Sequence, residues 1–307
     1  MLKKSKIEPF IFIVMWTFCG VTSCNKDDST TDGNELQKKI DEYNQCDEGL
    51  KDYYTPAEYF NMGVAIPSSF VDNQGKVNLI KRHFNSVTAD NDMKWSSLQP
   101  TEGIFNFTNA DKIVAFAQAN GMKVRGHCLC WHNQVPAWIF KDGDADASKE
   151  LVLQRLTTHI TTVVNHFKGK VYAWDVVNEA IDDAGSYRTS QWYTICGEEY
   201  IFEAFDKYSS LGLELQITEF DVSVYTSNSD PESTYTSEIA LKQAVAYGRF
   251  FSAFRDYKND ITGITFWGLA DDYTWLDNFP VAGRKNYPFL FDENYNPKQA
   301  YFTVINF

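Results

Sequence analysis

Val171-Tyr172-Ala173-Trp174-Asp175-Val176-Val177-Asn178-Glu179 is an apolar run that ends in a carboxylate. Leu213-Glu214-Leu215-Gln216-Ile217-Thr218-Glu219 repeats that form. β-branched and aromatic residues suit an extended chain, so each run reads as a strand. Outward from them, short apolar strands alternate with amphipathic helices, the pattern of an α/β chain with a parallel sheet. The other strand candidates are Gly63–Ile66, Ser86–Ala89, Lys123–Leu129 and Gly263–Gly268, with the two quoted runs contributing Val171–Asn178 and Glu214–Glu219. Helical spacing predicts a helix over 150–167 with Val152, Leu156, Ile160, Val163 and Phe167 inward. Another covers Thr108 to Asn120, with Ile113, Phe116 and Ala117 inward and Gly121 as its stop. A third covers 238–257 with Leu241, Ala244, Val245 and Phe251 inward, and Glu35 to Tyr54 reads as helical.

In a parallel α/β barrel the strand C-termini form the active face. Glu179 and Glu219 are therefore expected to look into one cavity. Glycoside hydrolysis needs such a pair, one carboxylic acid and one carboxylate. Any single glutamate is more often an N-cap or surface residue; two at strand tips, amid tryptophan and histidine, point to chemistry.

The 307 residues carry 28 Lys+Arg against 41 Asp+Glu, a formal charge of −13. That acidity argues against nucleic acid or an anionic membrane as a direct partner, and a neutral polymer or small molecule fits better. A hydrophobic content of 44% supports a real core.

Lys3, Lys4 and Lys6 make a basic start, and Phe10 to Phe18 is an apolar run too short to span a bilayer. Val21-Thr22-Ser23-Cys24 looks like a lipobox, with Cys24 as the lipidated residue. Asp27 and Asp28 after it resemble the export signals of surface lipoproteins in some Gram-negative bacteria. The expectation is a signal peptide over 1–24, a tether and N-terminal helix over 25–49, and a catalytic domain over 50–307. The product would be an exported lipoprotein of the outer membrane, on the cell surface if the acidic pair acts as such a signal, touching the membrane only through Cys24.

Cys128-Leu129-Cys130 is not a zinc spacing, and on a strand its two thiols would point to opposite faces. Small buried hydrophobes are the simplest reading, with the disulfide status of Cys46, Cys128, Cys130 and Cys196 left open. His127 and His132 lie five apart across a strand end, which suits sugar contact or core packing better than metal ligation.

The quoted motifs carry a resemblance. Trp174-Asp175-Val176-Val177-Asn178-Glu179-Ala180 and Ile217-Thr218-Glu219-Phe220-Asp221-Val222 look like the signature strands of glycoside hydrolase family 10, the endo-β-1,4-xylanases. Phe84 to Trp95 resembles that family's second strand. Val124-Arg125-Gly126-His127 with Trp131-His132-Asn133-Gln134 resembles its third, and Gly263 to Trp275 its eighth; Pro288 to Tyr301 resembles its C-terminal stretch. The likeness runs from about Leu50 to the end. It implies a TIM (β/α)8-type barrel and retaining hydrolysis of xylan or xylo-oligosaccharides without metal or cofactor, with Glu179 as acid/base and Glu219 as nucleophile. It further implies that Asn178 holds the sugar 2-hydroxyl, that Asp90, Asn91, Lys94, His127, Trp131 and Gln134 line the glycone side, and that Trp267 and Trp275 stack on sugar rings. His132, Asp175 and Asp221 would support these groups. Retention requires the two carboxyls to lie about 5–5.5 Å apart. Glu179 is then expected to have its pKa raised by an ionised Glu219, itself kept charged by hydrogen bonds.

Two departures from the family stand out. Asp90 replaces the usual glutamate, one methylene shorter, so its sugar contact is longer or bridged by water. And Glu179 and Glu219 are only 219 − 179 = 40 residues apart, where the family spaces them far more widely. That gap holds one helix, near Glu198 to Ser210 with Ile201, Phe202, Phe205 and Tyr208 inward, but not the family's fifth and sixth strands. The chain reads as spliced between 206 and 212. Six recognisable strands make an incomplete barrel, with exposed edges on the two glutamate strands unless these pair directly. The histidine that the family sets against its nucleophile is absent, since all five histidines fall between His83 and His166. A defective or misassembled gene, a naturally contracted barrel and an unrecognised substitute strand all account for the pattern. Two further readings are a catalytically impaired xylan-binding remnant and an endo-glucanase of the same mechanism.

Overall fold

Asn61–Ile66 is buried along nearly its whole length, as a strand covered on both faces of a parallel sheet must be. The same holds for Ser86–Ala89 and for Ile261–Phe266. In the computed structural model, which describes residues 33–55, 59–180, 188–206, 215–225, 227–256, 258 and 261–306, six strands form one sheet. They are β1 (Asn61–Ile66), β2 (Ser86–Ala89), β3 (Lys123–Gly126), β4 (Ala173–Trp174), β5 (Leu215–Phe220) and β6 (Ile261–Phe266). Their lateral order is β4-β3-β2-β1-β6-β5, with every pairing parallel. The expected signal peptide with Cys24, the tether to 32 and the junction at 207–214 lie outside the described residues.

The sheet curls as an incomplete barrel, open between β4 and β5. The two glutamate-bearing strands are thus the two edges of the sheet, and among the described residues they do not pair with each other. A contracted barrel closed by that pairing is not what forms.

Several sequence expectations shift in detail. Val171–Asn178 yields only two residues of regular strand, but the pairing with the preceding segment continues irregularly. Tyr172 N–H donates to Val124 O, Leu129 N–H to Asp175 O and Asn178 N–H to Cys130 O. The expected helix from Glu35 to Tyr54 is two, Gly33–Gln45 and Leu50–Tyr54, parted where Gly49 N–H donates to Asp52 Oδ2 at 2.8 Å. The first is docked through Tyr43, whose hydroxyl lies 2.8 Å from His83 Nε2 and whose ring meets Tyr301 edge-on.

Helix Lys149–His166 buries Val152, Leu156, Ile160 and Val163 as its spacing predicts, and Ser148 caps its start. Helix Thr108–Ala119 buries Ile113 and Ala117, with Phe116 only half-buried. Helix Ser237–Asp256 differs: Leu241 and Val245 are exposed, while Ala244, Tyr247, Phe251 and Phe254 are buried. The inward stripe is set by Phe220 of β5, whose ring meets Tyr247, Phe250, Phe251 and Phe254. Each fully buried aromatic there contributes roughly 1.5–3 kcal/mol. In the helix Glu199–Asp206, Ile201 is half-buried, and Tyr208 and the side chains of Phe202 and Phe205 lie outside the description.

Gly126 closes β3 against β4. A Cβ there would stand 2.2 Å from the Trp174 ring, so only glycine lets the two strands approach with that indole between them.

Candidate active site

Glu179 follows β4 in a left-handed backbone conformation, φ 50°. A non-glycine residue there is strained by about 1–3 kcal/mol and needs external support. The support comes from Arg188, whose Nε donates to the Glu179 carbonyl at 3.0 Å, while its own N–H donates to Ala180 O at 2.9 Å. The Glu179 carboxylate is 24% exposed; its Oε2 lies 3.6 Å from His132 Nδ1 and 3.8 Å from Arg188 Nη2.

Glu219, near the C-terminal end of β5, has a side chain 17% exposed, with Oε1 4.0 Å from His127 Nδ1. Among the described residues no donor hydrogen-bonds this carboxylate. Burial, and then the negative charges of Asp175 and Glu179, push it up to about 8, with Arg125 and Lys94 opposing. The expectation was the reverse, a Glu219 held ionised by hydrogen bonds. It fails because those donors are absent among the described residues, and a carboxylate without them cannot offset its desolvation.

Beneath this pair lies a buried charge cluster. Asp175 is bonded by Arg125 through one oxygen and by His127 Nδ1 at 2.8 Å through the other. Burial alone would raise Asp175, but the Arg125 charge and the His127 hydrogen bond carry it down to about 2. His127, 1% exposed, is lowered by that same burial, with Asp175 opposing. Its ring packs edge-on against Trp267 at 4.7 Å.

The expected glycone residues converge. Lys94 Nζ stands over Trp131 at 4.8 Å and Trp267 at 5.8 Å, and donates to Asn91 Oδ1 at 2.9 Å. Gln134 Nε2 donates to that same oxygen at 3.1 Å, and Asn91 Nδ2 donates to Asp90 Oδ2 at 2.9 Å. Asp90 also accepts from the Tyr273 hydroxyl at 3.4 Å, and its burial raises its pKa. Trp267 N–H donates to Phe220 O, which draws this group toward Glu219.

Among the described residues, buried Asn178 Nδ2, Trp131 Nε1 and His132 Nδ1 have no hydrogen-bond partner. Buried donors are normally satisfied. Three orphans on residues flanking Glu179 and Glu219 are what a cavity that binds a polyhydroxylated ligand leaves open. Asp221 is supported from the other side, since Trp275 Nε1 donates to its Oδ2 at 2.8 Å. Burial raises Asp221 to about 6, that hydrogen bond opposing. The Trp275 ring is 37% exposed and stacks on Phe279.

Sequence reasoning did not single out Arg188, Arg125 or Tyr273. Arg125 had a signal: an arginine inside an otherwise apolar strand needs a buried carboxylate, and Asp175 is the one at hand. Arg188 and Tyr273 sit in loops, where no periodicity marks them.

Comparison with known proteins places this arrangement. The profile of glycosyl hydrolase family 10 matches residues 49–208 and again 204–307. A β-1,4-xylanase of Dictyoglomus thermophilum is 38% identical over 327 aligned positions, covering 84% of this chain and 90% of that protein. The crystal structure of xylanase XynB from Paenibacillus barcinonensis, complexed with a conduramine derivative, superposes with a TM-score of 0.77 at 36% identity, covering 84% of this chain and 98% of that one. A mutant structure in complex with xylotriose superposes at 0.79 with 35% identity, covering 84% and 99%.

Proposed function

The chain belongs to glycosyl hydrolase family 10, and we propose that its two cavity glutamates divide a retaining hydrolysis between them. The protein is an endo-β-1,4-xylanase that cleaves internal bonds of xylan. One observation carries the assignment of residues: Glu179, just past β4, and Glu219, near the end of β5, both lie at the C-terminal side of one parallel sheet, each beside a histidine of the segment after β3, at 3.6 Å from His132 and 4.0 Å from His127.

Glu219 in its ionised form attacks the anomeric carbon. Glu179 gives its proton to the departing glycosidic oxygen, and a covalent glycosyl-enzyme forms. Glu179, now a base, takes a proton from water, which displaces Glu219 with net retention. Asn178 Nδ2 meets the sugar 2-hydroxyl, while Asp90, Asn91, Lys94, His127, Trp131 and Gln134 hold the glycone. Trp267 and Trp275 offer apolar faces to sugar rings. Arg125 and Asp175 hold His127 in place. Burial, with the charges of Asp175 and Glu179, pushes Glu219 up to about 8, so its protonated form is favoured at neutral pH.

We further propose that the strand pair which the described residues lack between β4 and β5 was lost where the chain reads as spliced, between 206 and 212. The overlapping ends of the two profile matches support this. So does the Dictyoglomus alignment, where 84% of 307 residues, about 258, stretch over 327 positions. The lipid anchor on Cys24 and the surface location belong to the same proposal, resting on residues 1–28; labelled palmitate found on wild type but not on Cys24→Ala tests it.

The deciding experiment is reducing-sugar release from xylan by the purified full chain. Turnover lost in both Glu179→Gln and Glu219→Gln is expected. Retention on a xylan affinity gel with no turnover by the wild type would overturn the catalytic assignment.

A further inference from the structure

We infer that Arg188 is the positioning residue of the acid/base glutamate: it holds the left-handed backbone at Glu179 so that the carboxylate is aimed at the glycosidic oxygen. The inference rests on the assignment of Glu179 given above.

The geometry has three parts. Glu179 adopts φ 50°, a conformation that an L-residue keeps only when its surroundings impose it. Arg188 clasps that position twice, donating from Nε to the Glu179 carbonyl at 3.0 Å and from its backbone N–H to Ala180 O at 2.9 Å. Its Nη2 reaches the carboxylate as well, at 3.8 Å from Oε2. A planar, forked, permanently charged group suits this task, because one side chain addresses a carbonyl and a carboxylate together. Without it the peptide at 179–180 relaxes toward φ < 0, and the carboxylate swings from its aim. A displacement of an ångström at a proton donor is costly to catalysis.

Among the described residues, the charged and titratable groups facing Glu179 are Arg188, His132 at 3.6 Å and Glu219 across the cavity. His132 Nδ1 faces the carboxylate and makes no hydrogen bond among the described residues, so it offers no backbone support. Arg188 is the side chain in that set that grips the main chain.

Proton donation matters most when the leaving group is poor. The test compares kcat/KM for xylan, whose leaving sugar needs a proton, with kcat/KM for 2,4-dinitrophenyl β-xylobioside, whose phenolate leaves without one. For Arg188→Gln the xylan value is expected to fall about 100-fold, within the range general acid catalysis supplies, while the dinitrophenyl value stays close to wild type. Arg188→Lys keeps one donor and the charge, and is expected to recover part of the loss on xylan; it also carries the test if the glutamine variant does not fold. Equal losses on the two substrates, in both variants, overturn the inference and leave the function standing. A wild-type chain inert toward both substrates overturns the function, and the role of Arg188 with it.

Discussion

Glu219 Oε1 lies 4.0 Å from His127 Nδ1, beyond hydrogen-bond reach. That nitrogen is already committed to Asp175 at 2.8 Å. Glu219 therefore gains no hydrogen bond from this histidine, and its burial, joined by the charges of Asp175 and Glu179, raises its pKa.

The acid limb of the pH–rate profile should reflect this. As the proposed nucleophile, Glu219 must be ionised to attack, so kcat/KM for xylan should climb as pH rises through about 8. A plateau already reached at pH 6 would contradict the environment described for Glu219.

Stability should run the opposite way. A carboxyl whose pKa is higher folded than unfolded favours folding while protonated. Its contribution is full below its ordinary value near 4.5 and is lost as pH rises through about 8. Glu219→Gln, neutral at every pH, should therefore melt above the wild type at pH 9 and near it at pH 4. Thermal unfolding monitored by tryptophan fluorescence at the two pH values measures the difference.

Trp275 and Asp221 invite a paired comparison. Trp275→Phe keeps a ring face for the sugar but removes the 2.8 Å donor to the half-buried Asp221 carboxylate, at a cost of about 1–3 kcal/mol. Asp221→Asn keeps an acceptor for the indole and removes a charge whose pKa lies at about 6. At pH 8 the first should destabilise in urea and the second should not; loss of similar size in both would mean that the charge, not the hydrogen bond, matters.

Gly126→Ala drives a methyl into the Trp174 ring and should destabilise by about 1–3 kcal/mol. In a Trp174→Ala background the same change should cost little, because the obstructing ring is gone. A double-mutant cycle by denaturant unfolding reads the coupling.

The glutamate pair was legible because strand-end carboxylates announce themselves in apolar runs, and the strands around them were found nearly in place. The sheet's open side was legible as a missing length between Glu179 and Glu219. What could not be read was which neighbour each surface would meet. Leu241 and Val245 fit a helical stripe as well as Tyr247 and Phe254 do, and only the position of Phe220 decides between them. The Glu219 environment was misjudged for a related reason: its pKa depends on donors brought by other segments, and no spacing along β5 encodes them. Arg188 lies in a loop and earns its place through a single backbone angle nine residues upstream.

The open seam between β4 and β5 has a directional consequence. Both borders point the same way, since every pairing in the sheet is parallel. A hairpin wedged into it would match one border and run against the other. Whatever zips the seam in register with both must carry two co-directional strands joined by a crossover, so a graft that restores the full ring has to arrive as a strand–helix–strand cassette, not as a simple ribbon.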